Sequence, residues 1–244
     1  EGYFEDINIA AKKGEVLGIS GLMGAGRTEI MRAVYGLDPK DSGEIYIDGK
    51  KVEITKPIEA INNKIGFVTE NRQEEGLVLD ESIRENVSLL NFNKFKNKLF
   101  LDKKREKDLS NSLVDSFRVK TQSTESKVRD LSGGNQQKVV FAKWYAIGPE
   151  ILILDEPTKG VDVGAKREIY DLIKQLTHKG VCIILISSDL PELLSLSDRI
   201  YVIHEGKVNG ELLREEADQE KVMTLATGGN LWVISKQKWK KIKI

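Results

Sequence analysis

Apolar residues gather along this chain into short runs, each closed by a turn or a polar cluster. EVLGIS (15–20), KIGFVTE (64–70), ILILDE (151–156), VCIILIS (181–187) and RIYVIHEG (199–206) have strand length and are rich in Ile, Leu and Val. Their apolar positions do not alternate with polar ones, which predicts central strands covered on both faces. GEIYIDGKKVEI (43–54) differs, because Ile45, Ile47 and Val52 alternate around Asp48-Gly49 in a hairpin pattern. Between ILILDE and VCIILIS, at 165–180, Ile169, Leu172, Ile173 and Leu176 fall on one helical stripe that Gly180 terminates. Strand, helix and strand in that order imply a parallel sheet in an α/β layer.

The middle of the chain is polar, rich in Lys and Asn, and helical where it is periodic (ESIRENVSLL, DKKREKDLSNSLVDSF). It reads as a helical insertion over 81–128. The expected organisation is an α/β core of 1–80 and 129–229 interrupted by that insertion, with a basic tail over 230–244. LWVISKQKWKKIKI in that tail carries five lysines and no acid, the pattern of a solvated end or of a segment meeting anionic lipid.

Composition narrows the classes. A chain of 244 residues can bury a real core, and 40% hydrophobic with 31% charged residues is ordinary for a globular domain. The 38 basic and 38 acidic side chains cancel, so no global field favours nucleic acid as a partner. A lone Cys182 excludes an intrachain disulfide and agrees with a reducing compartment. VCIILIS, the longest apolar stretch, is far below the roughly 20 residues of a membrane-spanning helix. EGYFEDINIA has no signal-peptide pattern, so a membrane role is expected to be peripheral. The chain starts without Met and reads as a piece of a longer polypeptide.

The chemistry sits at the ends of the predicted strands. Gly21-Leu22-Met23-Gly24-Ala25-Gly26-Arg27-Thr28-Glu29 follows a strand and opens a helix. In that context G-x-x-x-x-G-K-[ST] cradles phosphate with backbone N–H groups and a helix N-terminus, and the hydroxyl ligates Mg²⁺. Arg27 replaces the lysine of the pattern. Its planar fork does not overlay a compact ammonium, so nucleotide binding is expected to survive better than turnover. Alone, such a loop is also compatible with a structural turn. ILILDEP places Asp155 and Glu156 at the C-terminal end of a strand, where ligands collect in open parallel sheets. Asp155 suits Mg²⁺, and Glu156 suits the polarisation of an attacking water. Leu131-Ser132-Gly133-Gly134-Asn135-Gln136 precedes the helix QKVVFAKWYAIG and offers N–H groups and a hydroxyl to an anion.

The order and spacing of GLMGAGRT, LSGGNQQ and ILILDEP strongly resemble the ATP-binding-cassette family over almost the whole chain up to Gly229. The resemblance implies a P-loop NTPase core with a mostly parallel sheet, an antiparallel β subdomain and a helical subdomain. It implies ATP and Mg²⁺ as ligands. Gly160-Val161-Asp162 falls at the family's D-loop, and ISSDLPELLSLSDRIYVIHEGKV at its switch region and following strand. Glu70 stands where a Q-loop glutamine is usual and Ser188 where a switch histidine is usual. Glu70 is expected to add negative charge near phosphate and metal, while Ser188 cannot carry an imidazolium charge. His204 and His178 read as ordinary strand-end and helix-end residues. Tyr3 and Phe4 are the candidates for the aromatic that stacks on adenine.

GLMGAGRTE, ENRQEEGL and DEPTKGVDVGAK further resemble the second, C-terminal cassette of the double-cassette ATPases of bacterial sugar importers (ribose, galactose and xylose type). The resemblance implies a partner cassette in the N-terminal half of the same polypeptide, a membrane permease subunit and, indirectly, a sugar-binding protein. It places the chain on the cytoplasmic face of the membrane. Its own ATP site is expected to be slow, with the intact signature completing the partner's site. The region 70–85 resembles the part that receives the permease, and Leu77 and Leu79 are expected to transmit coupling. The competing readings are a regulatory module that binds ATP without hydrolysis and a soluble cassette protein unrelated to transport.

Overall fold

The computed structural model describes residues 4–95 and 102–230. Tyr3 and the lysine-rich stretch 231–244 lie outside the described residues. The chain begins with β1 (Val16–Gly21), α1 (Arg27–Tyr35), β2 (Ile45–Ile47), β3 (Lys50–Val52), α2 (Pro57–Asn62) and β4 (Ile65–Val68). A π turn (Arg72–Gly76) leads to α3 (Ile83–Ser88), α4 (Phe92–Phe95), α5 (Lys103–Ser116) and α6 (Gly133–Tyr145). Then follow β5 (Ile151–Asp155), α7 (Val163–His178), β6 (Cys182–Ile186), α8 (Leu190–Leu196), β7 (Arg199–His204), β8 (Lys207–Leu213) and α9 (Gln219–Ala226). Two compact units emerge: Glu1–Ile65 with Glu150–Glu156 and Leu176–Ile244, and Gly66–Pro149 with Pro157–Gln175.

The first unit is built on strands in the order β5-β6-β1-β7-β8. β5, β6, β1 and β7 are parallel, and β8 returns antiparallel to β7. Every residue of β5 and β6 is buried, as runs without polar alternation require of central strands. α8 and α9 lie against β1. β8 has a weaker pattern, KVNGELL, and only Leu212 of it is buried, which fits an edge strand. β2 and β3 pair antiparallel, Ile45 opposite Val52. Their turn places Asp48 at φ 49° and Gly49 at φ 76°, the left-handed pair that a two-residue hairpin needs. Residues 4–14 form no strand, and Phe4 is half-buried.

Register fixes where the chemistry falls. Ile186 of β6 lies opposite Asp155 of β5 on one side and Ile19 of β1 on the other. The C-terminal ends of β5, β6 and β1 therefore come together at one edge of the sheet.

The second unit is mainly helical, and polar side chains order it. Ser82 caps α3: its Oγ accepts from Glu85 N at 3.2 Å, and Glu85 Oε2 accepts from Ser82 N at 3.0 Å. Asp102 caps α5 through Arg105 N at 3.0 Å. Between these helices Arg84 meets the buried Glu106 at 2.7 Å, and Ser88 Oγ donates to the same carboxylate at 2.6 Å. The stripe Ile169, Leu172 and Ile173 of α7 is buried.

Candidate nucleotide site and signature loops

β1 runs straight into the glycine-rich loop. A Cβ on Gly21 would stand 2.4 Å from the carbonyl oxygen of Ile203, so only glycine lets the loop leave beside β7. Ala25 N donates to Leu22 O at 3.1 Å, and Gly206 N donates to Ala25 O at 3.0 Å. These bonds hold the loop in shape from within. Gly26 enters α1 at φ 97° with no side-chain cap. A helix leaves its first N–H groups without internal acceptors, and the first bond of α1 is Ile30 N to Gly26 O. The N–H groups from Gly26 to Glu29 are thus oriented at the helix start with its positive dipole end. A Cβ on Gly24 meets nothing within 4 Å, so there is open space above the loop. This donor set fits a phosphate chain.

The acidic pair lies at the same sheet edge. Asp155 is buried at the end of β5. Glu156 adopts a left-handed backbone, φ 46°, a conformation that costs a non-glycine residue on the order of 1–2 kcal/mol. Its N–H donates to Ile186 O at 2.9 Å, and its Oε1 accepts from Ser188 N at 2.7 Å. Arg27 Nη1 donates to Ser187 O at 3.0 Å, with Nη2 at 3.9 Å from Glu156 Oε1. The fold thus gathers the glycine loop, Arg27, Asp155, Glu156 and Ser188. Ser187 is fixed in turn, its Oγ donating to Glu192 Oε2 at 2.6 Å. Ser188 is exposed and engages Glu156 through its backbone.

Thr28 and Asp155 offer a hydroxyl and a carboxylate, hard oxygen ligands suited to Mg²⁺. Among the described residues no group of three or more His, Cys, Asp and Glu side chains could hold a metal.

In the second unit Ser132 caps α6 backbone-first: Gln136 N donates to Ser132 O at 2.9 Å. The Ser132 hydroxyl is exposed and accepts from Asn135 Nδ2 at 2.9 Å, while Asn135 Oδ1 accepts from Lys120 N at 2.8 Å. Leu131 and Gly133 are half-buried, and Gly134 is buried. A Cβ on Gly134 would stand 2.4 Å from Ala165 Cβ of α7, so α6 and α7 approach closely only because that position is glycine. Buried Gln136 donates through Nε2 to Val128 O at 3.2 Å. Asp162 caps α7, its Oδ1 accepting from Ala165 N at 3.0 Å. Gly160 precedes it at φ 66°.

Glu70, expected to add negative charge near phosphate and metal, is paired through its carboxylate with Lys159. Lys159 and Arg72, which orders the same region, escaped sequence reasoning: each is a surface cation with nothing local to mark it. His204 is structural, its Nδ1 lying 2.9 Å from Ala226 O. β8 was also missed, although Glu205-Gly206 (φ 46° and 72°) is a turn signal that could have revealed the hairpin.

Comparison with known proteins points to one family. The ribose import ATP-binding protein RbsA of Bacillus licheniformis is 59% identical over 229 residues, 94% of this chain and 46% of that protein. RbsA of Oceanobacillus iheyensis is 60% identical over 230 residues, again 94% and 46%. The chain spans about half the length of the curated relatives it matches. Among solved structures, a dimeric ATP-binding cassette in a post-hydrolysis state with ADP and Pi superposes with a TM-score of 0.74 at 25% identity, covering 87% of this chain and 90% of that one. A nucleotide-free cassette from an ABC transporter gives 0.79 at 21% identity, covering 91% and 92%. The fold is that of the P-loop NTPase cassette, with a mostly parallel sheet, an antiparallel sheet and helices. The family model for ABC transporters matches residues 4–159, and the chain belongs to the ABC transporter family.

Proposed function

We propose that this chain is an ATP-binding, energy-coupling cassette of a bacterial sugar importer, with ribose as the substrate class its relatives' names suggest. The carrying observation is the sheet edge where the uncapped start of α1 faces Asp155 and Glu156. Residues 1–80 and 129–229 would form the nucleotide core, with 81–128 as the helical insertion. The span of about half of each relative supports assignment as one cassette of a double-cassette polypeptide, and the GLMGAGRTE and ENRQEEGL patterns favour the C-terminal one. Its partners are then the N-terminal cassette, a membrane permease and, indirectly, a sugar-binding protein. No helix among the described residues is long and apolar enough to cross a membrane, so attachment to the cytoplasmic face would come through the permease.

N–H groups of Gly24 and of Gly26 to Glu29 hold the phosphates of ATP in this reading. Thr28 and Asp155 would hold Mg²⁺, which would supply charge neutralisation to the bound phosphates. Glu156 orients the attacking water. Arg27, already engaged with Ser187 O and next to Glu156, is held in a resting arrangement, which supports slow turnover at this site. Ser132, Gly133 and Gly134 are offered to the ATP of the partner cassette. Removing one transition-state donor typically costs 10²–10³ in rate, so even one mispositioned group makes the site slow.

Single-turnover phosphate release from the full polypeptide tests the proposal. Mg-ATP should bind at micromolar to millimolar levels, and hydrolysis should come mainly from the partner site. Rapid turnover at this site, abolished by Glu156→Gln with the partner site disabled, refutes the slow-site reading. Failure to bind Mg-ATP refutes the whole proposal.

A further inference from the structure

Three loops of the second unit meet around one guanidinium. Arg72 opens the π turn, and its fork donates to two successive carbonyls, Nη1 to Lys159 O at 2.7 Å and Nη2 to Gly160 O at 3.2 Å. The same Nη2 stands 2.7 Å from the place a Cβ on Gly133 would occupy, and Gly160 O is 3.0 Å from that place. Gly133 therefore makes room for Arg72 and the 160 carbonyl to pack against the signature turn. Alongside, the Glu70 carboxylate binds the Lys159 ammonium. One residue further on, Gln73 Nε2 donates to Gln136 Oε1 at 3.1 Å. Residues 70–73 thus reach the 159–160 backbone and the signature helix together.

This pattern is not that of a surface ion pair. Arg72 is half-buried, its Nε is enclosed with no hydrogen-bond partner among the described residues, and burial pushes its pKa down. The guanidinium gives its Nη donors to backbone carbonyls while the neighbouring carboxylate is taken by lysine. A planar fork with fixed spacing can hold two adjacent carbonyls at once, whereas an ammonium is a single point of attachment. Within the loop it grips, Val161 N donates to Thr158 O at 3.2 Å, and Gly160 is left-handed.

We infer that Arg72, flanked by the Glu70–Lys159 pair, is a positioning residue that clamps the 159–162 loop to the signature turn so that the two are presented as one rigid surface. This rests on the proposed function in one respect: the surface so presented serves the site of the partner cassette. In that role Glu70 is a structural anchor and not a ligand of the phosphate or metal.

The test uses the full polypeptide with both cassettes, comparing wild type with Arg72→Ala and Arg72→Lys. Hydrogen exchange is followed over 158–166, and kcat and KM for ATP are measured in parallel. Arg72→Ala should speed exchange at Val161 to Lys166 at least tenfold and lower kcat about tenfold, with KM changed less than twofold. Arg72→Lys should restore only part of both, because it can hold one carbonyl. Unchanged exchange in Arg72→Ala overturns the clamp, and so does full restoration by lysine. Faster exchange with unchanged kcat overturns its role in turnover. Ser132→Arg provides the separate check: if it leaves the ATPase rate intact, the partner-site reading fails whatever the exchange data show.

Discussion

Arg27→Lys is the perturbation that most directly probes the nucleotide loop. Arg27 Nη1 donates to Ser187 O at 3.0 Å, and Nη2 lies 3.9 Å from Glu156 Oε1, both side chains being about nine-tenths buried. To serve phosphate, the guanidinium must release the carbonyl. A hydrogen bond from a charged donor contributes about 1.5–3 kcal/mol. Attraction to Glu156 adds about 4 kcal/mol before desolvation at an effective dielectric of 20, most of which desolvation cancels. Lysine, one compact ammonium, cannot hold Ser187 O and approach Glu156 together. It should be freer to meet the phosphates. Mg-ATP affinity is therefore expected to tighten about tenfold, equivalent to about 1.4 kcal/mol, and single-turnover phosphate release at this site to rise by a similar factor. Titration with a fluorescent ATP analogue and quench-flow on the full polypeptide measure the two quantities. Unchanged or weaker affinity in Arg27→Lys, with the fold intact by circular dichroism, would refute the idea that the resting arginine is sequestered.

Lys143 governs a pH dependence. Burial pushes its pKa down from 10.5 to about 8, while its ammonium donates to Gly76 O. Between pH 8 and 10.5 the unfolded chain binds the extra proton, so stability should rise with pH across that window by about 3 kcal/mol. Below pH 8 both states are protonated and the full penalty remains. Urea unfolding at pH 8, 9 and 10 should show the rise in wild type, and Lys143→Met should remove that component. Gly134→Ala drives a methyl to 2.4 Å from Ala165 Cβ and should cost about 1–3 kcal/mol. Ala165→Gly in the same chain should recover most of this in thermal melts. Leu77, expected to transmit coupling, is buried, and Val78 beside it is 46% exposed. Leu77→Ala should lose about 2–4 kcal/mol of stability. Val78→Glu should change stability by less than about 0.5 kcal/mol, since Asn86 binds the backbone of Val78 at 2.8 and 2.9 Å. Sugar uptake should fall for Val78→Glu while ATP affinity is unchanged.

Local pattern was enough for the parts of this protein whose cause is local. Strand runs without alternation announced a buried sheet, and β5 and β6 are buried throughout. Asp48-Gly49 announced its hairpin because two left-handed residues are needed there. The glycine loop and signature were legible because a helix start with no side chain in the way is a property of consecutive residues. Pairings across long separations were not legible. The sequence marks Arg27 as an odd residue in a phosphate loop but says nothing of Ser187 O, 160 positions away. Glu70 reads as an extra charge until Lys159, 89 positions on, is brought to it. Which carboxylate pairs with a lysine, and which backbone carbonyl an arginine reaches, is set by where strand register and loop packing deliver distant groups. Short-range sterics and burial determined most of the elements, while the partners of the charged side chains were decided only when the tertiary fold closed.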